Sequence, residues 1–178
     1  MARAGLTTDR LTRAAAELAD EIGFENVTVS ALARGFGVKD ASLYSHIKNA
    51  QDLKTRVALL ALAELADQVA AALSGRAGKD ALVAFANAYR DYAKRHPGRY
   101  AATQLPIASA TVRHVEMTHA ILRGYNVPEA DHRHAVRFLH STIYGYVSLE
   151  NSFHEAPGLD TSWLRTLDAL DAALRNWP

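Results

Sequence analysis

The chain has 178 residues, 49% hydrophobic and 22% charged, which fits one compact domain or a small head fused to a larger body. It contains no cysteine, which excludes a disulfide framework and thiolate metal sites, so stability must come from packing. Lys and Arg number 20 against 19 Asp and Glu, a net charge of +1, so composition alone does not announce a nucleic-acid partner. Residues 1–56 are equally balanced, with eight Lys and Arg against seven Asp and Glu. Met1 to Asp9 lacks the apolar stretch of a signal peptide, and the most apolar run, Val57 to Leu65, is far too short to span a bilayer. The expectation is a cytoplasmic protein with no membrane partner.

In chain order, Leu11, Ala14, Ala15, Leu18, Ala19 and Ile22 recur at the spacing of one helix face, and Gly23 follows where a C-cap belongs, predicting a helix over Thr8–Ile22. Thr28 is a good N-cap for a second, short helix carrying Val29, Leu32, Ala33 and Phe36, which Gly37 breaks. A third short helix is expected over Ala41–His46, capped by Asp40 or Lys39. Asn49 caps a long Ala- and Leu-rich helix through Leu73. Ser74 to Gly78 reads as a linker, and Asp80 as the cap of a helix that ends at Pro97-Gly98. A turn near Tyr100, a helix over Ala108–Arg123, a long one from Glu129 to Phe153 and a last one from Ser162 to Asn176 complete the reading. No sustained period-two run occurs, so the fold class is all-α.

The segment from Thr28 to Asn49 carries the most information. Two short helices split by a Gly turn let the second project its side chains into a major groove while the first braces it. Leu32, Ala33, Phe36, Val38, Leu43 and Ile47 would close the core between them, leaving Ser42, Tyr44, Ser45, His46 and Lys48 to face outward. The run Leu43-Tyr44-Ser45-His46-Ile47-Lys48-Asn49 resembles the end of the DNA-binding head in the tetracycline-repressor family, and the likeness extends over Leu11 to Leu60. The body resembles that family in helix order and length, and in its Val147-Ser-Leu-Glu150 run and terminal helix.

The resemblance implies an N-terminal helix-turn-helix head over residues 1–52 and a helical ligand-binding and dimerisation body over residues 53–178. It implies a sequence-specific transcriptional regulator, a repressor released from operator DNA by a small, largely apolar effector. By position, Thr28, Tyr44, His46 and Lys48 match phosphate-contacting places, and Ser42 and Ser45 lie where base edges or phosphates are met. Ser30, Asp40 and Ala50 depart from residues some members carry, so the operator sequence does not transfer. Asp40 reads either as a cap or as an acceptor for a cytosine amino group.

In the body, Phe85, Tyr89, Tyr92, Met117, Phe138, His140 and Tyr144 are the candidates to line an effector pocket, since apolar walls with sparse polar groups suit a small organic ligand. The same aromatic stripe reads equally well as core. Leu167, Leu170 and Leu174 form a seam that, with Ile143 and Val147, is expected to join two copies as a homodimer; the alternative is that it closes the monomer core. Eight histidines raise a metal hypothesis, but His114 with His119 and His132 with His134 are spaced to point to different faces, and His140 and His154 add no shared one. No metal and no cofactor is expected. Neither a Gly-rich phosphate loop nor a Gly-x-Ser-x-Gly elbow appears, which argues against an enzyme. A helical adaptor whose head binds protein is the third class.

Overall fold

The computed structural model describes residues 5–152 and 157–178, with the backbone alone at 108–111. Among these residues there are eight α-helices and no strand. They divide into two compact units, one of residues 1–64 with 95–110 and the other of 65–94 with 111–178. The first thus takes in a portion of the long helix and a later segment besides the residues 1–52 expected to read DNA.

In the first unit α1 covers Thr8–Ile22, as its periodicity predicts, and buries Leu11, Ala15, Ala16 and Ala19. The side chain of Thr7 accepts a hydrogen bond from the Arg10 amide at 3.2 Å and so caps its start. Helix α2, Val29–Phe36, starts on Thr28, whose hydroxyl oxygen accepts from the Ala31 amide at 3.1 Å. It ends at Gly37, whose left-handed φ of 65° lets its N–H reach back to the Ala33 and Arg34 carbonyls.

The third helix expected over Ala41–His46 is instead a 3-10 turn, Asp40–Ser42, that runs on as turns to His46. Its bonds are mostly short-range: the Ser42 amide to Lys39 O and the Leu43 amide to Asp40 O, both 2.9 Å, then the His46 amide to Leu43 O at 2.9 Å. A segment this short cannot offset the cost of helix nucleation, and the Ser45 hydroxyl takes the Ser42 carbonyl at 3.0 Å. Burial of Leu43 and Ile47 holds it in place.

Helix α3, Ala50–Leu73, starts where Asn49 was expected to cap it: Asn49 Oδ1 accepts from the Asp52 amide at 2.8 Å. Asp52 in turn accepts from the Lys48 amide at 2.9 Å, so the chain leaving the 3-10 turn is fixed from both sides. Leu53, Val57 and Ala58 close the core formed with Leu11, Leu32, Leu43 and Ile47.

Helix α4 is Gly78–Arg95, so Asp80 lies inside its first turn and is not its cap; there it favours the positive helix end. The turn expected near Tyr100 is a helix, α5, Pro97–Ala102, with Pro97 at its start. It lies against α1, and Ala102 belongs to the core of the first unit. Asp20 of α1 accepts from the Arg99 amide at 2.9 Å, and its other oxygen is 3.2 Å from His96 Nδ1.

The second unit holds the remainder of α3, most of α4 and of α6 (Ala108–Arg123), and helices α7 (His132–Ser152) and α8 (Leu159–Arg175). A 3-10 turn, Glu129–Asp131, precedes α7, and α8 begins three residues earlier than the sequence suggested, after Gly158. Phe153, the expected end of α7, lies outside the described residues. The core includes Leu82, Phe85, Leu122, Leu139 and Trp163. Arg90 of α4 donates to both carboxylate oxygens of Glu150 on α7, with the Nε to Oε2 bond at 2.7 Å, and also to Asp160 on α8. Trp163 Nε1 donates to Asn87 Oδ1 at 2.7 Å. These bonds tie α8 and α7 to α4.

Candidate functional site

The residues expected to meet DNA all belong to the first unit. Thr28, Ser42, Tyr44, Ser45 and Lys48 are exposed, and His46 is half-buried. The pattern follows from Leu43 and Ile47, whose burial turns the residues between and beside them outward. Of the six expected core residues, Leu32, Ala33, Leu43 and Ile47 are buried, and Phe36 and Val38 are half-buried. His46 is fixed through its backbone, since the Thr8 hydroxyl donates to its carbonyl at 3.1 Å.

Asp40 does not cap the turn it begins. Its carboxylate accepts from the Ser30 hydroxyl, so two of the departures from the family pattern answer each other and lace α2 to the turn. A groove of about 730 Å³ opens beside the same residues, lined by Leu6, Arg10, Phe36, Lys39, Ser42 and His46 among others. Arg10 lies over the Phe36 ring at 5.2 Å from its centroid. Sequence reasoning missed Arg10 and Lys39 as neighbours of Ser42 and His46. Only the fold brings the first turn of α1 there.

The effector candidates divide. Phe85, Tyr89 and His140 meet in the second unit: the Phe85 and Tyr89 centroids are 4.8 Å apart, and His140 stands edge-on to both, at 5.7 and 5.8 Å. Tyr92 is buried and Met117 half-buried. A string of polar bonds runs through the cluster. Tyr89 OH is 2.7 Å from His114 Nδ1, and the Thr118 hydroxyl donates to the His114 carbonyl at 2.9 Å. That spends the only Thr118 proton, so Thr118 accepts from His140 Nε2–H at 2.9 Å. Burial, with His114 nearby, pushes the His140 imidazole down to about 4 and keeps it neutral. Thr118 carried no sequence signal, and His114 was weighed only as a metal ligand, since its partner Tyr89 and the link through Thr118 to His140 come from packing of separate helices.

Phe138 and Tyr144 do not join this cluster. They are exposed, and the Phe138 ring packs on Trp177 of the chain's end, with centroids 6.0 Å apart. The expected dimer seam is also corrected. Ile143, Val147, Leu167, Leu170 and Leu174 are all buried, at 2% exposure or less, within one chain, so α8 uses this stripe to close the second unit. The exposed apolar side chains of the same helices are Tyr144, Leu149 and Leu164, besides Phe138.

Among the described residues no group of three or more His, Asp or Glu is placed to hold a metal, and His154 lies outside them. No helix there is long and apolar enough to cross a membrane.

Comparison with known proteins decides the family. The family model described as "Bacterial regulatory proteins, tetR family" matches residues 11–53, and the one described as "Tetracyclin repressor-like, C-terminal domain" matches residues 82–170. An uncharacterised helix-turn-helix-type transcriptional regulator of Bacillus subtilis (strain 168), YobS, is 33% identical over 153 residues, 83% of this chain and 80% of YobS. The chain belongs to the TetR family. The fold agrees with solved TetR-family structures. A TetR variant from Acinetobacter baumannii AYE, in complex with minocycline, is 21% identical and superposes with a TM-score of 0.75 over 97% of this chain and 98% of that one. BioQ with its natural double-stranded DNA operator is 23% identical, with a TM-score of 0.70 over 94% of this chain and 99% of that one. This TetR-family chain is thus a helix-turn-helix transcriptional regulator with an all-α head and body.

Proposed function

We propose that this TetR-family chain is a cytoplasmic, non-catalytic repressor that binds operator DNA as a homodimer and leaves it when a small, largely apolar effector enters the body. Residues 1–52 read DNA, and residues 53–178 take the effector and the second copy. The observation that carries the reading is the exposure of Thr28, Ser42, Tyr44, Ser45 and Lys48, with His46 half-buried, beside the buried Leu43 and Ile47. Exposed hydroxyls, an imidazole and an ammonium are groups that suit phosphate oxygens and base edges. The operator bound by BioQ supports the same use of this fold.

The effector reading rests on the cluster of Phe85, Tyr89 and His140, whose buried polar string offers few orienting hydrogen bonds among apolar rings. Minocycline in the Acinetobacter protein is a precedent for a small organic ligand. An effector must favour the DNA-incompetent state, and a coupling of about 1 to 3 kcal/mol lowers operator affinity about five- to 150-fold.

Selection from random duplex DNA, followed by gel shift of the selected sequence, tests the reading. Enrichment of one two-fold symmetric sequence is the expected result. Failure to enrich any sequence at low salt would refute the DNA-binding proposal.

A further inference from the structure

We infer that a second, separate ligand site lies between α6 and the start of α7, built for a small organic anion with an apolar body. The groove there has a volume of about 630 Å³, within the range of roughly 300 to 1,000 Å³ typical of small-molecule sites. Val115 of α6 and Val136 of α7 supply apolar wall. Arg133 and Arg137 also line it, and their spacing of four sets both guanidinium groups on one side of α7. Neither forms an ion pair with a described residue. Guanidinium forks match carboxylate and phosphate oxygens, and unpaired ones are free to do so.

Two imidazoles, those of His119 and His132, line the same groove. The His119 and His132 rings pack with centroids 5.3 Å apart, and His132 Nε2–H donates to the Val127 carbonyl at 3.0 Å, which fixes its orientation. Glu129 is the sole acid among the lining residues. Two guanidinium groups thus stand against one carboxylate around a partly apolar groove. A neutral apolar guest would strip water from the guanidinium groups without replacing its hydrogen bonds, whereas a bare inorganic anion would leave the valines wet. An anion joined to a short apolar group meets both demands. The site shares no lining residue with the cluster of Phe85, Tyr89 and His140, and the inference does not depend on operator binding.

Calorimetric titration of the full chain with benzoate, phenyl phosphate, benzyl alcohol and inorganic phosphate tests it. Benzoate or phenyl phosphate is expected to bind, and whichever is tighter identifies the preferred head group. Arg133→Gln with Arg137→Gln should weaken that binding about tenfold or more, the scale of a lost charged hydrogen bond. Val136→Trp, which fills the groove and keeps the charges, should weaken it too. In the wild-type protein the imidazole proton resonances of His119 and His132 should move during the titration. Four results would each overturn the site: no binding of either probe at millimolar concentration, benzyl alcohol as tight as benzoate, inorganic phosphate as tight as phenyl phosphate, or unchanged affinity in the double variant. Equal melting temperatures of variants and wild type separate lost binding from lost folding.

Discussion

Gly98 of α5 lies against the backbone of α1 at Ala19, so closely that a Cβ on residue 98 would stand 1.8 Å from the Ala19 carbonyl oxygen. The contact is backbone to backbone, so no side-chain rotation relieves it. Gly98→Ala must push α5 off α1, disturbing a core that includes Ala19 and Ala102. The expected loss of stability is about 3 kcal/mol, at the upper end of overpacking costs. Chemical denaturation measures it, and a wild-type midpoint for Gly98→Ala would contradict the contact.

Arg90 and Glu150 form a buried pair whose two hydrogen bonds join α4 to α7, and Lys94 Nζ reaches the same carboxylate at 3.0 Å. These bonds, that of Arg90 foremost, hold the Glu150 carboxyl below the usual carboxylate range against the opposing effect of burial. Glu150→Ala leaves Arg90 with exposed Asp160 as its carboxylate partner, at a cost of about 3 kcal/mol or more. A double substitution, Arg90→Met with Glu150→Leu, should recover some of that loss. A double variant no more stable than Glu150→Ala would contradict a penalty from leaving Arg90 without its buried partner.

His140 predicts a pH dependence of folding. Its imidazole is held at about 4 in the folded chain, chiefly by burial, against an unfolded value of about 6.5. Between those values the unfolded chain binds the extra proton, so stability is full above pH ~6.5 and falls as pH drops toward ~4, by up to about 3 kcal/mol. His140→Gln should flatten that slope. Denaturation midpoints from pH ~7 to ~4.5 check it, and equal slopes for the two proteins would exclude His140 as the source.

At the DNA-facing surface, Lys48→Ala should weaken all duplexes alike and reduce the slope of log affinity against log salt by about 0.9, one phosphate contact. Ser42→Ala should instead reorder affinities among operator variants by about 1 to 3 kcal/mol if the hydroxyl meets a base edge. Fluorescence anisotropy across a salt series separates the two outcomes.

For the dimer, the place of Leu170 reverses what its substitution does. Leu170 is 1% exposed within one chain, so Leu170→Lys should unfold the second unit rather than simply dissociate a dimer. Leu164 is 61% exposed on the same helix, and Leu164→Lys should leave the fold intact while weakening self-association. Sedimentation velocity with circular dichroism distinguishes these. A folded, monomeric Leu170→Lys protein would return that residue to the interface.

The sequence by itself determined the first two helices of the head, their ends and the start of α3, though not the 3-10 turn at Asp40–Ser42, because caps and breakers act within a few residues. Thr28, Gly37 and Asn49 each satisfy or terminate backbone groups close by, so their effect is local and legible. The outward aspect of Tyr44 and Lys48 followed from the same short-range alternation around Leu43 and Ile47. Tertiary structure alone decided the rest. An apolar stripe such as Leu167, Leu170 and Leu174 has the same spacing whether it faces its own core or another chain, and packing against the second unit chose the core. Phe138 and His140 are two residues apart, and helix rotation alone puts His140 against Phe85 and Tyr89 while Phe138 faces outward to Trp177. Likewise Asp40 meets Ser30, and Arg90 meets Glu150, across separations of 10 and 60 residues, distances over which a one-dimensional pattern carries no pairing information.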